Sequence, residues 1–344
     1  MASLDMAPIT IKSSNLELLT GEEVQSSNPV ISFPELLIVE DRLRESFLKA
    51  GHTIKDSCLL LLASGGKRLR PLLTLQSAQC FGPLNSAALD AAVAAELIHM
   101  ASLIHDDVID HSDRRRGVPT INSQEGNQVA VLAGDYVFAE AFRILSNKHL
   151  LTSMSYLVDA IQSMCDGEVE QAEQRYNLTV EPSQYFKRIA QKTGILLASC
   201  CCSGAASVGA SQDAIEALGH YGMNLGYAYQ IIDDILDFTG NPQVTGKPVA
   251  ADLANGYITL PVIYLLDKPL YGPWARDILQ TRNLSPADVQ KIIQALISSE
   301  ALDEAFATAL HCAQTAIQAL NSLPPSPSKT FLIKLTHTIL YRNS

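Results

Sequence analysis

From Pro34 almost to the end of the chain, apolar residues return every three or four positions, the spacing of one buried face on an α-helix. The periodic segments fall at 35–50, 54–64, 69–81, 86–111, 126–146, 149–175, 182–208 and 212–238, with shorter ones at 257–267, 285–299, 300–322 and 326–341. No two-residue alternation runs long enough to predict a strand. Gly65-Gly66, Gly82-Pro83, Gly240 to Pro242 and Pro324 to Pro327 interrupt the pattern where turns belong. The expected fold is therefore all-α, a large single-domain helical bundle over residues 31–344. Residues 1–30 lack periodicity and read as a flexible tail.

Composition sharpens this picture. With 344 residues, 47% of them hydrophobic and 18% charged, the chain can bury a large core. No Pro/Gly/Ser-rich linker divides it, so one domain is expected rather than two. A net charge of -11 argues against nucleic acid as a partner, because phosphate backbones bind basic surfaces. The run from Thr193 to Gln212 is uncharged and long enough to span a membrane, but its Ser, Gly, Ala and Cys content suits a packed interior helix, and no transmembrane segment is expected. Seven cysteines, three adjacent at 200 to 202, form no zinc spacing and read as buried thiols in a reducing cytosol. The acidic N-terminus, with Asp5, Glu17, Glu22 and Glu23, carries no export signal, so a cytoplasmic location is expected.

The chemistry concentrates between Glu96 and Gly117, ELIHMASLIHDDVIDHSDRRRG. At about 100° per residue, Asp106 and Asp110 lie within roughly 40° of each other on a helix, and His99 shares their stripe. A second stretch, YQIIDDILDF from Tyr229 to Phe238, repeats the spacing with Asp233, Asp234 and Asp237. Both acidic groups follow apolar runs, and carboxylates drawn toward a core need counter-charge. Oxygen ligands without thiolate or imidazole favour Mg²⁺, which one or two carboxylates hold together with substrate phosphates. A phosphorylated substrate follows. Gly65 and Gly66 end one helix and leave Lys67, Arg68 and Arg70 at the start of the next, where backbone N–H groups and cations converge on an anion.

Six stretches together carry a resemblance: GGKRLRP at 65–71, HDDVIDHSDRRRG at 105–117, AVLAGDYVFA at 130–139, KTG at 192–194, YQIIDDILDF at 229–238 and GKPVAADLANGYITLP at 246–261. In order and spacing they resemble the trans-isoprenyl (polyprenyl) diphosphate synthases over residues 35–344, most of all the catalytic component of heptaprenyl diphosphate synthases. The resemblance implies an isoprenoid-synthase bundle and assigns roles. Asp106, Asp110 and Asp233 would bind Mg²⁺, in the family a cluster of about three ions. Asp107 and Asp234 complete the two acidic motifs, and with Lys192 these carboxylates form the expected catalytic set. Lys67, Arg70, His99 and Arg116 would hold isopentenyl diphosphate; Arg115, Lys192, Thr193, Gln230 and Lys247 would hold the allylic diphosphate. Gly194 replaces the alanine usual in the family's KTA, and a slightly looser helix turn is expected there. Glu168 and Gln171 match a stretch facing the cavity, and Asp135 reads as an outer ligand or a helix polar contact.

The implied reaction is ionisation of an allylic diphosphate, farnesyl diphosphate for preference, and attack on the cation by the double bond of isopentenyl diphosphate, with the proton lost to the departed diphosphate. Chain length is read from Ala101 and Ser102, one turn before Asp106, and from Ile98 a turn further. Their small or aliphatic side chains predict an open tunnel and a medium-to-long product, heptaprenyl favoured over octaprenyl to decaprenyl. The alternative is a geranylgeranyl-length product. A class I terpene cyclase, a non-catalytic partner subunit and a di-iron bundle fit less well. The second acidic motif, the retention of both motifs and the lack of a second Glu-x-x-His to face Glu96 and His99 count against them in turn. The partner is a second copy or a second synthase component, with peripheral membrane contact for product release.

Overall fold

The computed structural model describes residues 33–146, 150–240 and 249–342. The tail at 1–30 and Lys247 lie outside these residues. The chain opens with α1 (Glu35–Phe47), α2 (His52–Ala63), α3 (Leu69–Gln79) and α4 (Ser86–Ile109). A two-residue hairpin, β1 (Arg114–Arg115) and β2 (Val118–Pro119), leads to α5 (Ile121–Glu125), α6 (Asn127–Leu145) and α7 (Leu151–Glu173). Then α8 (Pro182–Ile189) passes through a π-turn at Ala190–Gly194 into α9 (Ile195–Ser207), followed by the long α10 (Gln212–Thr239). The C-terminal part comprises α11 (Ala251–Ala254), α12 (Leu260–Leu266), α13 (Gly272–Leu279), α14 (Pro286–Ser298), α15 (Ala301–Ala319) and α16 (Pro327–Leu340).

The all-α expectation is met, and local capping fixes where helices begin. Asn85 caps α4 by accepting from Ala88 N at 2.8 Å, and Ser285 with Asp288 forms a capping box ahead of Pro286 in α14. Differences lie in short elements. The hairpin was not expected, nor were α5, α11 and α13, and the 182–208 segment is broken by the π-turn rather than continuous. Elements of two to eight residues carry too few periodic positions to register as a pattern.

The core has two parts joined by α10. One is built from α1 to α4, α6, α7, α9, the first half of α10 and most of α16; the other from α8, the second half of α10 and α11 to α15. The uncharged α9 is buried along nearly its whole length, as its composition suggested. Small residues let its neighbours approach. A Cβ on Gly204 would lie 2.0 Å from Thr74 O of α3, and one on Gly222 of α10 would lie 2.6 Å from Ala198 Cα. By length and composition α4 could cross a membrane, yet 67% of its apolar window is buried inside this fold, the mark of a core helix.

Candidate active site

The first acidic motif ends α4, and its three carboxylates meet three environments. Asp106 is half-buried, and burial together with Glu168 and Asp110 pushes its pKa up to about 6. Asp110 is the exposed C-cap of the helix. Asp107 turns inward, buried, and takes Arg115 as a fork: Nε lies 2.9 and 3.0 Å from its two oxygens and Nη2 2.8 Å from one of them. Asp107 thus anchors an arginine, while Asp106 lies in the field of Glu168, Lys192 and Asp110.

The three consecutive arginines are sent to three places by the hairpin. Its turn residues, Arg116 and Gly117, have φ of 50° and 81°, the left-handed pair that a tight two-residue hairpin requires and that glycine best supplies. Arg114 donates to Gly117 O at 2.5 Å, Arg115 to Asp107, and Arg116 to Gly65 O. Gly66 has no side chain where Arg116 passes; a Cβ there would meet its Nη1 at 2.6 Å. Arg116 and the diglycine loop therefore close on each other. Around His99 gather Arg70, Arg116, Arg115 and Arg68, and burial with their charges lowers its pKa well below the usual imidazole range. Burial and the surrounding guanidiniums thus favour the neutral form of His99, which can donate a hydrogen bond without adding to the positive charge.

The second motif lies on α10. Asp234 is buried, accepting from Tyr185 Oη at 2.6 Å and from Gln230 Nε2 at 2.9 Å; burial, the dominant influence, lifts its pKa to about 7 against both hydrogen bonds. Asp233 is exposed enough to bind a ligand, and Arg342, just beyond α16, reaches it at 2.7 Å while stacking 3.8 Å over the Tyr229 ring. Lys67 feels both Arg342 and Asp233, so the diglycine loop faces the second motif. Asp237 accepts from the N–H groups of Ala251 and Asp252 at 3.1 and 3.2 Å, tying α10 to the segment that follows Lys247.

Between the motifs stands the π-turn. Lys192 pairs with Glu168 of α7 at 2.8 Å and shares the field of Asp106. The next residue, Thr193, donates to Gln230 Oε1 at 2.8 Å and so joins the Asp234 network. One extra residue in the turn lets two adjacent side chains serve opposite acidic helices, a common functional use of a π-bulge. Gly194 is not a loosened position. A Cβ on Gly226 of α10 would lie 2.5 Å from Gly194 Cα, so the turn is packed backbone to backbone against α10.

Sequence reasoning passed over Glu168's pairing role, Tyr185 and Arg342. A lone tyrosine or arginine in a helical pattern carries no signal of its partner. Asp135 is exposed on α6 and lies 3.7 Å from His105, away from the acidic motifs' own contacts. Ile98 and Ala101 are fully buried, and Ser102 is half-buried with its hydroxyl donating to His99 O at 2.9 Å. Among the described residues no three His, Cys, Asp or Glu side chains form a ready-made ligand set. The oxygen donors on α4 and α10 suit Mg²⁺, provided substrate phosphates complete each shell.

A bundle with two acidic helices flanking a cationic turn defines an enzyme of the isoprenyl diphosphate synthase type. Residues 52–296 match the Polyprenyl synthetase family, and the chain belongs to it as a prenyltransferase. It is 35% identical to heptaprenyl diphosphate synthase component 2 of Bacillus subtilis, over 88% of this chain and 86% of that protein. It is 33% identical to octaprenyl diphosphate synthase of Haemophilus influenzae, over 95% and 98% of the two chains. A crystal structure of polyprenyl synthase from Caulobacter crescentus, complexed with calcium and isoprenyl diphosphate, superposes with a TM-score of 0.85 at 31% identity, covering 92% of this chain and 98% of that one.

Proposed function

We propose that this trans-polyprenyl diphosphate synthase uses Mg²⁺ to condense isopentenyl diphosphate head-to-tail onto an allylic diphosphate, farnesyl diphosphate for preference, and makes a product of heptaprenyl length. The observation that carries the reading is the π-turn, which aims Lys192 and Thr193 at the two acidic helices while a separate basic group, Lys67, Arg70, His99 and Arg116, gathers around the diglycine loop. Two diphosphates need two such sites. Asp106, Asp110 and Asp233 would hold Mg²⁺, which supplies charge neutralisation to the leaving diphosphate when bound. Arg115, kept in place by Asp107, and Lys192 stabilise the same developing charge. The neutral His99 orients the second diphosphate, and the buried walls exclude water from the allylic cation. The proton released on bond formation passes to the departed diphosphate.

Separate sites should respond separately. Lys67→Ala is expected to raise the KM for isopentenyl diphosphate by about tenfold or more and to change that for the allylic substrate little, with Lys247→Ala doing the reverse. Steady-state kinetics with each substrate varied in turn checks this; equal effects on both would place the sites wrongly. A product assay by mass spectrometry, with and without a candidate second component, tests both chain length and assembly.

Acidity should act through Asp106. With its pKa raised to about 6, the carboxyl binds a proton in competition with the metal, so apparent Mg²⁺ affinity should fall as pH drops through about 6 and level off above 7. Calorimetric titration of Mg²⁺ with inorganic diphosphate across that range, on the parent and on Asp106→Asn, isolates it as the difference between the two, because diphosphate itself titrates there. The same pH dependence in parent and Asp106→Asn would exclude Asp106 as a ligand.

A further inference from the structure

Arg68 sits between Lys67 and Arg70, yet each of its three side-chain nitrogens donates to an acceptor inside the protein. Its side chain is buried; Nε donates to Glu40 Oε1 of α1, Nη1 to Glu96 Oε1 of α4 at 3.0 Å, and Nη2 to Leu62 O at the end of α2 at 3.1 Å. Its backbone is left-handed, with φ 45° and ψ 36°. For a non-glycine residue that conformation is unfavourable and persists only where the surroundings impose it. The consequence is directional. With the Arg68 side chain drawn into the body of the protein, Lys67 stays exposed on one side of the turn and Arg70 opens the first turn of α3 on the other. Glu96 also lies in the field of Arg116 and stands one helical turn before His99. One carboxylate thereby stands beside two of the four groups assigned to isopentenyl diphosphate, Arg116 and His99.

We infer that Glu40 and Glu96, acting through Arg68, are positioning residues for the isopentenyl diphosphate site. The inference rests on the assignment of Lys67 and Arg70 to that substrate. It gives α1, an element outside the acidic motifs and the basic loop, a part in substrate selection: its Glu40 sets the direction in which the loop's cations face. Neither glutamate touches a substrate.

The fold contains a control. Arg42, on the same helix as Glu40, pairs with Asp90 of α4, so Asp90→Ala loosens α1 on α4 without touching Arg68. Glu40→Ala should raise the KM and the calorimetric Kd for isopentenyl diphosphate about tenfold, with the allylic KM within about twofold and kcat at saturation little changed. Glu40→Gln, which keeps an acceptor oxygen, should recover part of the loss. Asp90→Ala should leave both KM values within about twofold of the parent at a similar Tm. A Glu40→Ala variant that behaves like Asp90→Ala, or that raises both KM values together, overturns the inference. If Lys67→Ala itself fails to act on isopentenyl diphosphate, the site assignment falls and the inference with it. If Lys67→Ala acts and Glu40→Ala does not, the positioning role alone is lost.

Discussion

Replacing Asp106 or Asp233 by alanine is expected to lower turnover by about three orders of magnitude, since metal-borne charge stabilisation is worth several kcal/mol and each factor of ten in rate is about 1.4 kcal/mol. The two variants should nevertheless differ in stability. A carboxyl whose folded pKa stands above its unfolded value binds more protons in the folded state, so its ionisation costs stability as pH rises through that window. Asp106, raised to about 6 by burial and by its acidic neighbours, is such a group; above pH 7 its removal should leave the Tm of the metal-free enzyme unchanged or higher. Asp233 is different, because its ion pair with Arg342 is lost. That pair is partly exposed, the aspartate at 41% and the arginine at 9%, and is worth about 1 kcal/mol or less, so a small fall in Tm is expected. Arg342 keeps its stacking on Tyr229 and its bond to Tyr229 O. Circular dichroism melts beside single-turnover kinetics separate the two effects. Substantial turnover in either variant, or in excess chelator, would remove the carboxylates from the chemistry.

What the sequence showed best was long-range order, and what it hid was partnership. Helices of eleven residues or more repeat their apolar spacing several times, and α3, α4, α6, α7, α10 and α15 all fall within a few residues of the periodic segments. The acidic stripes were legible for the same reason, because Asp106 and Asp110, or Asp233 and Asp237, share a face through helix geometry alone. Geometry could not say which carboxylate faces inward. Asp107 and Asp234 look like their neighbours in sequence, but one is forked by Arg115 and the other is held by Tyr185 and Gln230. Their partners lie on other elements, at separations that helical spacing does not encode. The π-turn was invisible for a further reason, since one inserted residue shifts the phase of a helical pattern without breaking it. Gly194 gave the one clue, and its meaning, a close approach to Gly226, needed the second helix.

The second large effect concerns product length, and the structure separates two substitutions that sequence treats alike. Ala101 and Ser102 both precede Asp106 by about one turn, so a ring at either would stand a turn below the first acidic motif. Ala101 is fully buried, packed in the same core cluster as Ile98, and Ala101→Phe must force a ring into filled space at a cost of about 1–3 kcal/mol. Ser102 is half-buried and spends its hydroxyl on His99 O, its own helix, so it has an open side into which a larger group can grow. Each added isoprene unit gains several kcal/mol from burial, at about 0.8 kcal/mol per CH₂, for as long as apolar space remains. An obstruction near the carboxylates should therefore end elongation early. Ser102→Tyr is expected to shift the product from the proposed heptaprenyl length toward farnesyl or geranylgeranyl length at near-parental turnover and Tm, whereas Ala101→Phe shortens it with a visible loss of Tm. Mass spectrometry of the extracted prenyl alcohols and a thermal melt of each variant decide the matter. A Ser102→Tyr enzyme with the parental product distribution would move length control away from α4. The next place to look would then be α6, where Phe138 packs against both His105 of α4 and Phe142.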